Sequence, residues 1–144
     1  MIQRKIQAEL AQLAQEYKVV TITGPRQSGK TTLAKMQFPD YDYVNLEDPE
    51  TRSLAEKDAR EFLHRHPAPI IIDEIQRLPM LLSYIQVECD KSNKKGQYIL
   101  TGSHQPALKA GISQSLAGRT AVLQLLPLSI EELNGAGNLI LAKD

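Results

Sequence analysis

The sequence predicts an α/β domain, a three-layer αβα sandwich in which helices cover both faces of a mostly parallel five-stranded sheet. Three observations predict it. Short β-branched segments alternate with amphipathic segments of helical spacing, the order that links parallel strands through helical crossovers. The run Ile70-Ile71-Ile72 is uniformly apolar, as a central strand covered on both faces must be. A glycine-bounded loop then joins a strand directly to a helix at residues 24–29, which puts a ligand site at the carboxyl ends of the strands.

The elements follow in chain order. Ile2, Ile6, Leu10, Leu13 and Tyr17 recur at three- and four-residue spacing, so residues 1–17 form a leading amphipathic helix. Lys18 to Thr23 reads as a β-branched strand, and Thr31 to Met36 as a helix stopped by Pro39. Tyr41 to Leu46 is a second strand. Glu50 to His64 reads as one charged amphipathic helix with Leu54, Phe62 and Leu63 available for burial, ended by Pro67 and Pro69. After Ile70 to Ile72, Pro79 suits the first turn of a helix whose buried face is Leu81, Leu82, Ile85 and Cys89. Lys91 to Gly96 is a polar turn. Gln97 to Thr101 and Ala121 to Leu125 are the fourth and fifth strands, and Ser129-Ile130-Glu131-Glu132 starts a last helix.

Composition narrows the function. The 144 residues suit one compact domain, 1–144. Lysine plus arginine and aspartate plus glutamate both number 17, so nucleic acid is not indicated as a partner and no membrane surface is favoured. The basic turn Lys91, Lys94, Lys95 reads as a solvated loop. A single cysteine, Cys89, and the absence of an apolar leader in MIQRKIQAEL fit a cytoplasmic protein. His64 and His66, one residue apart, point to different sides of a helix and have no third ligand nearby, so they do not predict a metal site.

Gly24-Pro25-Arg26-Gln27-Ser28-Gly29-Lys30-Thr31 has the Walker A pattern, followed by Thr32. Glycines let successive backbone N–H groups turn toward phosphate oxygens. Lys30 supplies a point charge to the β- and γ-phosphates, Thr31 a hydroxyl for Mg²⁺, and the helix N-terminus a favourable partial charge. These residues, 24–32, form the expected binding site for ATP. Ile70-Ile71-Ile72-Asp73-Glu74 has the Walker B form. Asp73 is expected to hold Mg²⁺ through water, and Glu74 to polarise a water for attack on the γ-phosphate. Thr101 and Ser103, at the end of the next strand, are candidates to sense that phosphate or orient the water. Arg26 and Asp48 are polar residues positioned to meet nucleotide or substrate.

Together TGPRQSGKTTL, IIIDEIQRLP, ILTGSH and LAGRTAVLQLLPLSIEEL resemble the AAA-superfamily ATPase domain of a widespread group of uncharacterised prokaryotic ATP-binding proteins, over residues 17–133. The resemblance implies a P-loop NTPase fold, ATP hydrolysis as the activity, and a sheet in which the Thr101 strand separates the Walker B strand from the loop-bearing one. It matches Lys30 and Thr31 to Walker A, Asp73 and Glu74 to Walker B, Thr101 to Ser103 to the sensor region, and Arg119 of Leu116-Ala117-Gly118-Arg119 to an arginine. That guanidinium is a candidate arginine finger, acting from a neighbouring copy in a homo-oligomer. The family continues past the Pro127-Leu128-Ser129 segment into a helical lid and a second domain, which are expected to be absent from this chain. An unknown protein partner driven by nucleotide state is the expectation. The alternatives are a switch module inactive alone, a small-molecule kinase that shares the P-loop, and a DExx-box helicase, which normally needs two such domains.

Overall fold

A computed structural model of the chain describes residues 2–25 and 28–125, with side chains from residue 5 onward. Five strands, β1 (Val19–Thr23), β2 (Asp42–Asn45), β3 (Ile70–Asp73), β4 (Tyr98–Gly102) and β5 (Thr120–Gln124), form one sheet in the order β2-β3-β4-β1-β5. Every pairing is parallel, so the expected mostly parallel sheet is wholly parallel. β4 lies between β3 and β1, the order implied by the resemblance. The architecture is that of a P-loop NTPase. The last expected helix, from Ser129, lies outside the described residues, as do Arg26 and Gln27.

Strand alternation sends residues to two separate cores. On one face Val20, Ile22, Ile71, Ile99 and Leu123 pack with Ile6, Leu10 and Ala14 of α1 (Ile2–Glu16) and with Leu33 and Ala34 of α2 (Lys30–Gln37). On the other, Val19, Val44, Ile70, Ile72, Tyr98 and Leu100 meet four helices. These are α3 (Pro49–Lys57), α4 (Ala59–Arg65), α5 (Leu81–Cys89) and α6 (Pro106–Ser115). Strands β1, β3 and β4 are buried along their whole length, which is why all three read as apolar or β-branched runs.

Two differences from the sequence reading have local causes. The single helix expected over Glu50 to His64 is two helices, broken at Asp58. Asp58 takes an extended backbone (φ −152°, ψ 86°) and its carboxylate accepts the Glu61 amide at 3.1 Å. An aspartate inside a helix competes for backbone donors in this way, and the cap wins. The break re-aims the first half: Leu54 is 58% exposed, while Ala55, Ala59, Phe62 and Leu63 are buried. The second difference is α6, which was not anticipated. Its signals are Pro106 in the first turn and the pair Leu108 and Ile112 four residues apart, which pack on the core.

The break makes a testable distinction. Phe62→Ala should cost about 3–5 kcal/mol of unfolding free energy, Asp58→Ala about 1 kcal/mol, and Leu54→Ser no more than about 0.5 kcal/mol. Urea denaturation of the three variants measures this. A Leu54→Ser loss comparable to that of Phe62→Ala would restore the continuous helix.

Candidate functional site

The loop after β1 is anchored before it turns. The Gly24 amide donates to Gly102 O at the end of β4 (3.2 Å). A Cβ on Gly24 would stand 2.7 Å from Leu125 O and 2.9 Å from Ser28 Oγ, so only glycine fits there. Gly29, at φ 87°, supplies the left-handed turn that starts α2. Lys30 is buried, and its ammonium reaches back into the loop to donate to Gly24 O and Pro25 O, both at 2.9 Å. Thr31 and Thr32 follow on the first turn of α2.

Asp73 is the centre of the polar end of the sheet. It ends β3 on the face covered by α2, between Tyr43 of β2 and Thr101 of β4. Thr31 Oγ1 lies 2.9 Å from each of its carboxylate oxygens, Tyr43 Oη donates to Oδ2 at 2.6 Å, and Thr101 Oγ1 donates to Oδ1. Thr101 in turn accepts the Glu74 amide at 3.1 Å, so one fully buried hydroxyl satisfies two partners. Tyr43 was not singled out from sequence, where it is one aromatic in a strand. Its phenol is pushed well above the usual tyrosine range, first by burial and then by its bond to the Asp73 carboxylate. The Lys35 ammonium sits 3.9 Å above its ring.

Glu74 has a left-handed backbone (φ 61°, ψ 47°), the one non-glycine residue among those described with positive φ. Such a conformation costs roughly 1–3 kcal/mol and is retained where surrounding bonds enforce it. Here the Thr101 bond does so. Glu74 lines a cleft of about 410 Å³ with Lys30, Gln76, Arg77, Ser103 and Gln105, a volume typical of small-ligand sites. Around this end of the sheet the buried hydroxyls Thr23 Oγ1, Ser28 Oγ and Ser103 Oγ have no partner among the described residues. A buried hydroxyl without a partner costs about 1–3 kcal/mol. Three together, beside a buried lysine, suit a ligand rich in acceptor oxygens. The residues therefore fit a nucleotide phosphate. A divalent cation fits the same end: a Thr31 hydroxyl and an Asp73 carboxylate are hard oxygen ligands of the kind Mg²⁺ takes.

Other expected residues lie elsewhere. Arg119 is not brought to the cleft. It precedes β5, and its carbonyl accepts the amide of Val19, the first residue of β1, which puts it at the opposite, amino end of the sheet. There its guanidinium grips Asp90 at 2.9–3.1 Å, and Lys18 Nζ lies 3.6 Å from the same carboxylate. The Arg119 bonds hold the Asp90 carboxyl below the usual range, and Asp90 raises Arg119 further. Asp48 is not at the cleft either: it caps α3, accepting from the Thr51 amide at 2.9 Å and hydroxyl at 2.8 Å, bonds that lower its own titration range. Cys89 is fully buried, and burial pushes its thiol up, as expected of a core residue. Among the described residues no group of three or more histidine, cysteine, aspartate or glutamate side chains is placed to hold a metal by itself, and no helix is long and apolar enough to cross a membrane.

Comparison with known proteins agrees with this geometry. A family described as an AAA domain matches residues 16–134. Uncharacterised proteins of Mycobacterium bovis and Mycobacterium tuberculosis are each 32% identical over 136 residues, covering 92% of this chain. The chain spans 30% of the length of these relatives. The match makes this a nucleotide-binding domain of the P-loop NTPase type.

The three hydroxyls on Asp73 are not equivalent. Thr101→Val leaves the Glu74 amide without its partner inside the protein and takes one of two donors from Asp73 Oδ1, and should cost roughly 2–3 kcal/mol. Tyr43→Phe, at a partly buried site on the sheet's edge strand, should cost about 1 kcal/mol or less. Urea unfolding of the two variants tests the ranking, and equal losses would remove Thr101 from the centre of the network.

Proposed function

The chain belongs to the AAA domain family, and from that premise we propose that it binds ATP with Mg²⁺ and hydrolyses it, the nucleotide state switching a protein partner. The observation that carries the reading is the cleft that Lys30 shares with Glu74 and with Ser103, whose buried hydroxyl has no partner among the described residues. Phosphate chemistry needs a cation and inward-facing donors, and hydrolysis needs a carboxylate close by.

In this reading the loop amides of residues 24–31 and the start of α2 bind the phosphates. Lys30 exchanges its bonds to Gly24 O and Pro25 O for phosphate oxygens, which carry more negative charge than a carbonyl. Thr31 and Asp73 would hold Mg²⁺, which neutralises charge developing on the transferred phosphoryl group. Thr31 can keep donating its proton to Asp73 while its lone pairs serve the ion, so the existing bond preorganises the pair. Glu74 takes a proton from the attacking water as general base. Thr101 holds Glu74 by its amide, and Ser103 offers a hydroxyl to the γ-phosphate. The carboxylate beside the lysine supports water, rather than a small-molecule hydroxyl, as the acceptor. Arg119, at the far end of the sheet, would reach a phosphate only from a second copy in a homo-oligomer.

Lys30→Ala should weaken ATP binding by about 100-fold or more, since it removes a desolvated charge from the phosphates. Glu74→Gln should bind ATP within a few-fold of wild type while hydrolysis falls about 10²–10⁴-fold, the usual contribution of a positioned base. Equilibrium binding of a fluorescent ATP analogue and phosphate release measure the two effects. Undiminished turnover in Glu74→Gln would remove the base assignment, and unchanged binding in Lys30→Ala the whole reading.

A further inference from the structure

The structure assigns Gln76 as the positioning residue that aims the Glu74 carboxylate and ties it to the end of β4, an inference that rests on the hydrolytic reading above. Glu74 is fixed through its backbone, by the Thr101 hydroxyl and its left-handed φ. Its side chain still has three rotatable bonds, and a general base is effective only when its oxygen meets the water at hydrogen-bond distance. Gln76, in the 3₁₀ turn Ile75–Arg77 immediately after, supplies the missing restraint. Its Nε2 donates to Glu74 Oε1 at 2.6 Å, and its Oε1 accepts the Ser103 amide at 3.1 Å.

The two bonds enforce each other. Turned over, the Gln76 amide would set its oxygen against the Glu74 carboxylate and its NH₂ against the Ser103 N–H, losing both bonds for two repulsions. Its orientation is therefore dictated by its partners. Room for the bridge comes from Gly102, where a Cβ would come within 3.0 Å of Gln76 Oε1 and 2.7 Å of Leu108 Cδ2. With Oε1 of Glu74 engaged, Oε2 takes no hydrogen bond among the described residues and is the oxygen that receives the proton from water. The other end of the bridge is Ser103, whose buried hydroxyl has no partner among the described residues and which lines the same cleft. A phosphate oxygen bound at Ser103 shifts the backbone that holds Gln76, and Gln76 carries that shift to the base. Gln76 touches no reacting atom itself.

The test compares Gln76→Met, which removes both bonds, with Gln76→Glu, which keeps an acceptor for the Ser103 amide but sets a second carboxylate against Glu74. Wild type and Glu74→Gln serve as references. Phosphate release at saturating ATP should fall about tenfold or more in Gln76→Met and further in Gln76→Glu, as misaimed catalytic groups do. The Kd for a fluorescent ATP analogue should stay within about twofold of wild type in both, because Gln76 lies off the phosphate loop. A purely structural residue would instead weaken binding and turnover together, with no added loss from the charge. Wild-type turnover in both variants beside an inactive Glu74→Gln overturns the role of Gln76 and leaves hydrolysis standing. A Kd that rises in step with the loss of turnover also overturns it. Absence of turnover in wild type, with ATP bound, overturns the hydrolytic reading and this inference with it.

Discussion

Four elements are tied together by the hydroxyls that converge on the Asp73 carboxylate. Thr31 lies in the first turn of α2, Tyr43 belongs to β2, Thr101 to β4, and Asp73 itself ends β3. A carboxylate buried this deeply is tolerable only with its lone pairs satisfied, and each donor comes from a different segment. The cost of burial thus becomes a geometric constraint. If α2 shifted along the sheet or β2 slipped by one residue, the charge would lose a donor, and a one-residue slip would also turn Tyr43 to the opposite face. The phosphate loop sits between β1 and α2, so its shape depends on this network although none of its own glycines takes part.

The two ends of the sheet are chemically opposed. The carboxyl end gathers a buried lysine, a strained glutamate and hydroxyls without partners among the described residues, features that lower stability and favour a ligand. At the amino end Arg119 and Lys18 both pair with the Asp90 carboxylate, and the Gly96 and Gln97 amides close onto Tyr17 O and Lys18 O at 2.8 and 2.7 Å. Arg77 lines the cleft, whereas Arg119 pairs with Asp90 at the far end.

Legibility in the sequence followed the range of the interactions. Walker A needs its glycines, lysine and threonine contiguous because one loop must surround one phosphate group, and Asp73 and Glu74 are adjacent because one strand end delivers both. Such local constraints are visible residue by residue. So are β1, β3 and β4, since full burial on both faces demands unbroken apolar or β-branched runs. The helix pattern was less informative at Asp58, where a side-chain cap overrode a continuous amphipathic period. It was also silent at α6, whose apolar face is only Leu108, Ile112 and Leu116.

By itself, then, the sequence determined the fold class, the glycine-bounded loop between β1 and α2 and the acidic pair Asp73-Glu74 that ends β3, because each is encoded within one short segment. Only the tertiary structure decided which residues support them. Tyr43 reaches Asp73 across a strand boundary, Gln76 bridges to Ser103 from 27 positions away, and Arg119 lies at the end of the sheet opposite the cleft. Those relations depend on strand order and on which face each residue occupies. Both are set by the packing of the whole sheet, and neither is written in any one stretch of chain.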